Sequence, residues 1–161
     1  MDRYFREQPQ SFRVAVSGTG IPACVGLDDD TTAYILETRK LFEDLRQVAS
    51  LLAGLLVLNA AGSQSAGPHH PMLDAADQLY RETIESIHHA RVTARAQQHH
   101  RCLLQASAAL RTALTAAHST VEIDPVLTPL RAAYAHLQRA SNELPGFEMV
   151  AFDQGCCGRK S

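Results

Sequence analysis

From Met72 to His118 the chain contains neither glycine nor proline. The two residue types that most readily stop a helix are therefore missing from this whole run. As one unbroken helix it would reach roughly 70 Å, more than twice the width of a small domain. Such a rod must protrude, pair with a second chain, or break. The apolar pattern favours a break. Leu73, Ala76, Tyr80, Ile84 and Ile87 make one stripe and Leu103, Leu110 and Leu114 another. Between them HHARVTARAQQHHR, residues 88–101, has no apolar periodicity. A hairpin or kink is expected near Ala94 to Gln98, because compact domains are built from short elements.

The rest of the chain frames this run with two further helical segments. A helix over 31–60 is predicted, capped by Asp29, Asp30 or Thr31. Within it Tyr34, Thr38, Leu41, Leu45, Val48, Leu52, Leu55 and Asn59 alternate steps of four and three, the seam of a bundle or coiled coil. Past Val48 the helix turns apolar all round (LLAGLLVL), which suits a central helix or a subunit interface, so a homodimer is expected. GSQSAGPHHP, 62–71, reads as a loop. The last helix has two candidate starts, Asp124-Pro125 and Thr128-Pro129. Pro129 would interrupt a helix begun at the first, so the second is expected. Leu130, Tyr134, Leu137 and Ser141 carry its stripe to about Glu143, before Pro145-Gly146. Beyond it Phe147, Met149, Val150 and Phe152 are too apolar for a free tail and should pack on the bundle. Residues 1–30 read as an irregular arm, with Phe12, Val14 and Val16 in a short extended segment and a glycine-rich loop after it. The fold class is all-α: a bundle of three to four long helices over 31–161, with that arm and a packed C-terminal tail.

Composition narrows function mainly by exclusion. With 161 residues, 45% of them hydrophobic and 20% charged, the chain is ordinary globular material. A formal net charge of -2 gives no global attraction to nucleic acid or an anionic membrane. Arg91 and Arg95 share a helix face but lack an aromatic neighbour for base stacking, so nucleic-acid binding is not expected. Val48 to Ala61 is too short for a membrane span. MDRYFREQPQ lacks the apolar core of a secretory signal, so a cytoplasmic setting is expected. There, Cys24, Cys102, Cys156 and Cys157 are expected as thiols or ligands, not as a disulfide framework. No GxSxG, phosphate loop or HExxH occurs, and enzyme activity is not indicated.

Three clusters carry the chemistry that remains. Glu85 precedes His88 by three residues and His89 by four, beside Glu82, so a carboxylate and an imidazole can share one helix face. That spacing supplies metal ligands in ferritin-like bundles, but here it has no second copy, and Glu37 and Glu43 stand without a histidine. His99, His100 and Cys102 form the second cluster; His99 and Cys102 could reach one zinc, copper or haem iron. On a straight helix His88 and His99 would lie roughly 16 Å apart. In a hairpin His89 and His100 would come opposite each other and make a four-histidine cluster, predicted on exposed positions. Cys156 and Cys157, between Gly155 and Gly158, form the third cluster, open to a soft metal, a mixed disulfide or enzymatic modification. The leading expectation is a non-catalytic bundle that binds a transition metal (zinc, copper or iron) or haem, or senses redox state, through these histidine pairs and the cysteine tail. An adaptor or accessory subunit that docks a larger protein partner through its long helices is the alternative. A third possibility is a carrier whose cysteine tail is modified by an enzyme.

Overall fold

A computed structural model of the chain describes residues 26–62 and 69–149. The expectations for the extended segment near Phe12, for Val150 and Phe152, and for Cys24, Cys156 and Cys157 lie outside the described residues.

The first helix, α1, spans Asp29–Ala60 and starts two residues before its predicted position. Its cap is Asp28, whose carboxylate accepts the Thr31 backbone N–H at 2.7 Å. This bond satisfies one of the donors that every helix start leaves open. The hydrogen bonds from Thr31 also hold the Asp28 carboxyl below its ordinary range. Asp29 and Asp30 then place negative charge on the positive end of the helix dipole. The predicted seam is observed as far as Leu55: Tyr34, Thr38, Leu41, Leu45, Val48, Leu52 and Leu55 are all buried, whereas Asn59 is only half-buried and its side-chain amide donates to the Val121 carbonyl. The apolar second half is only partly covered, and Val57 is left 67% exposed.

The second helix, α2, spans Pro71–His89, with Pro71 in its first turn and the His70 ring accepting from the Met72 N–H. It ends where the apolar stripe ends, and the question of the long run is settled as a hairpin. Ala90 is extended, Thr93 is extended, and a single 3-10 turn at Ala94–Ala96 leads into the third helix. The reversal therefore begins at Ala90, ahead of the predicted 94–98. Tertiary contacts hold it: the Thr93 hydroxyl meets that of Thr31 at 3.1 Å, and Ala96 is fully buried. The third helix, α3, spans Gln97–Ser119.

The fourth helix, α4, spans Asp124–Glu143 and so uses the earlier of its two possible starts. Ile123 accepts the Val126 and Leu127 N–H groups at 3.1 and 2.8 Å, closing the first turn. Starting there puts Val126 into the core. Pro129 sits inside the helix; its missing N–H leaves the Pro125 carbonyl without its helical donor, close to the helix end. The buried face also differs from the predicted one. Tyr134 is 43% exposed, and Ala133 and Ala140 lie inside with Leu130 and Leu137.

The protein is an all-α bundle, with four helices among the described residues. α1 packs on α2 and α3 on α4, and the two pairs close through α1–α4 and α2–α3. The α3–α4 seam is the most extensive, and alanines from both sides (Ala106, Ala113, Ala133, Ala140) are fully buried. Small side chains there let the two helices approach closely while leucines fill the spaces between. No helix among the described residues is long and apolar enough to cross a membrane.

Candidate functional site

The predicted site residues are dispersed by the fold. His88 and His89 sit exposed on the last turn of α2, as does Glu85. The His89 ring donates to the Glu85 backbone carbonyl at 2.6 Å, a local bond within one helix. The hairpin sets one member of each histidine pair, His88 and His100, within electrostatic reach of each other, and the expected meeting of His89 with His100 is not observed. His88, not His89, lies close enough to His100 to act on it. Burial, and then the charge of His88, lower the pKa of His100.

His99 departs furthest from expectation. It is fully buried rather than exposed. Its Nδ1 lies 2.9 Å from the Tyr34 hydroxyl on α1, and its ring packs on Phe147 at 4.1 Å between centroids. Phe147 also meets Phe42 edge-on at 5.4 Å, so the residues after α4 plug the end of the bundle. Burial, reinforced by His100, lowers the His99 pKa to about 4 and keeps the ring neutral. Burial likewise raises the Tyr34 phenol, which stays protonated. Either group can donate across the bond between them, and in both cases His99 Nε2 is buried without a partner. Cys102, three residues on, is buried, and burial raises its thiol.

Among the described residues, no three His, Cys, Asp or Glu side chains are grouped as a metal ion would require. His99 is tied to Tyr34, Cys102 faces the core, and the α2 histidines face solvent. Sequence reasoning missed Tyr34 and Phe147 as partners of His99. The helical spacing of His99 with Leu103, Ala106 and Leu110 is the signal that points to it as a core residue.

Among the clefts of the described residues, two are lined by α1. A polar cleft of about 570 Å³ lies where α1 begins, lined by Asp28, Asp30, Tyr34, Glu37, Arg91 and Thr93 among others. It offers three carboxylates and one guanidinium around a neutral phenol, without a paired nucleophile and base. The second surface is an apolar groove of about 370 Å³ between α1 and α4. Ala49, Ser50 and Ala53 make one wall; Leu127, Leu130, Arg131 and Tyr134 make the other. Alanine and serine on α1 open this groove because they leave its floor low, while Leu127 and Tyr134 stand beside it 36% and 43% exposed. Comparison with protein-family models, curated proteins and solved structures finds no match to the chain.

Proposed function

We propose that the protein is a non-catalytic docking module, an adaptor or accessory subunit whose partner surface is the α1–α4 groove. The observation that carries this is the pairing of low α1 residues with two large, solvent-facing α4 side chains around a single charge, Arg131. Apolar surface of this kind is where a second polypeptide gains most from leaving water. Val57 lies one turn beyond Ala53 on the same side of α1 and extends the surface. The matching ligand is a protein segment with apolar side chains and a carboxylate to meet Arg131. The histidine pairs lend a metal or haem reading no comparable support, since one imidazole is sealed in the core and its neighbours are spread over two helices.

A photo-crosslinking residue placed at Tyr134, with one at the exposed Leu36 as reference, tests the proposal in cells that express the chain. A discrete adduct should form from position 134, not from 36, and should disappear when Arg131→Glu is added. An adduct of twice the chain mass would make the partner a second copy, the expected homodimer. Equal labelling from both positions would refute docking at the groove.

A further inference from the structure

We infer that the partner at the α1–α4 groove is a second copy of this chain, joined by antiparallel packing of α4 on α4 about a twofold axis. The inference rests on the docking reading of the groove and names its occupant. The charge pattern of α4 carries it.

Asp124, Leu127, Arg131 and Tyr134 follow one another at steps of three and four, and all four are exposed. They form one stripe along the outer face of α4, at the edge of the groove. The stripe holds one acid and one base, seven residues and about 10 Å apart along the helix. At that separation they do not reach each other. Among the described residues neither has an ion-pair partner elsewhere in the chain. Covering the stripe with an apolar surface alone would strand the Arg131 charge, so its occupant must bring a carboxylate.

A second copy brings one in the right place. A twofold axis makes an interface self-complementary, so whatever Arg131 meets on the other copy meets Arg131 in return. With the two α4 helices antiparallel and the axis between Leu127 and Thr128, Arg131 falls opposite Asp124 of the second copy. The same pair recurs on the other side of the axis, and Leu127 meets its own counterpart at the centre. Thr128 and Ala135, beside the stripe, are short enough to let the two backbones approach. The same register sets Tyr134 opposite Val121 of the second copy. Asn59 donates to the Val121 carbonyl, so that end of the bundle also holds Val57. Val57 and Val121 are 67% and 61% exposed, and a tyrosine ring arriving there covers apolar surface the single chain leaves in water. An axis one turn further along, at Arg131, would instead set like charges against each other.

The test is sedimentation equilibrium on the full-length chain and on two variants of exposed residues, Asp124→Arg and Arg131→Glu, with helical circular dichroism to confirm folding. The wild type should be a dimer. Each variant alone should dimerise on the order of tenfold more weakly, or worse, since it sets two like-charge pairs across the axis. Mixed in equal amounts the two variants should recover the dimer, because both pairs of the mixed species are again opposite in sign. A monomeric wild type, variants that dimerise as well as it does, or a mixture as weak as its components would each overturn the inference. A photo-crosslinking residue at Leu127 reads the same arrangement without a charge change: its adduct should have twice the chain mass and map to α4 of the second copy. No such adduct, or a link mapping to another helix pair, would also overturn it. The docking proposal is read separately: equal labelling from positions 134 and 36 removes the groove as an interface, whereas a position-134 adduct of any other mass keeps the docking and overturns the second copy.

Discussion

His99 gives the bundle a specific dependence on acid. In the unfolded chain its imidazole titrates near 6.5, and in the folded chain burial lowers this to about 4. The unfolded state therefore binds the proton more readily, and stability falls as the pH drops. The loss starts near pH 6.5 and is complete near pH 4. Between pH 7.5 and 4.5 it amounts to about 2–3 kcal/mol, from the ratio of the two proton-binding terms. Replacing His99 with Leu removes the titration and fills most of the same space. The variant also leaves the Tyr34 hydroxyl without a partner, a cost of about 1–3 kcal/mol at every pH. That cost cancels when each protein is compared with itself at two pH values. Urea unfolding followed by helical circular dichroism at pH 7.5 and 4.5 measures the effect. The wild type should lose about 2–3 kcal/mol more than His99→Leu, because the carboxylates and His100 are common to both. Equal losses would refute the assignment of a buried, neutral His99.

Asp28→Ala should lower the thermal midpoint and speed hydrogen exchange in the first turn of α1, because the Thr31 N–H loses its acceptor; an unchanged exchange pattern would show that the cap is idle. Cys102 should react with a thiol reagent only as fast as the bundle opens, since burial both hides the sulfur and disfavours the thiolate. Labelling of Cys102 at the rate of a free thiol under native conditions would contradict its placement.

What could be read from the sequence follows how strongly each feature is written locally. The α1 stripe was legible because leucines and valines at alternating steps leave a single face to bury. The existence of a break in 72–118 was legible from the fading of that pattern. Its position was not, because Thr31–Thr93 and the burial of Ala96 are contacts across more than sixty residues of chain. The α4 face was misjudged because alanine carries little signal in either direction. Only the close approach of α3 decides that Ala133 and Ala140 lie inside and Tyr134 outside. The polar neighbours of His99 in HHARVTARAQQHHR mask it as a core residue, although it keeps step with Leu103 and Leu110. The groove was invisible for a further reason: it is made by residues too small to fill the space between two helices.

The α3–α4 seam has a consequence for the order of folding. Its two helices are joined by residues 120–123 alone, and they share the most extensive interface in the bundle. Contacts between near neighbours in the chain require little loop closure, so they form early. The α1–α4 contacts join residues some eighty positions apart and must wait. The alanine seam is thus the place to look for a folding nucleus, with α1 docking onto it late. Mutations at Ala113 or Ala133 should slow folding, while those on the groove wall of α1 should mainly hasten unfolding.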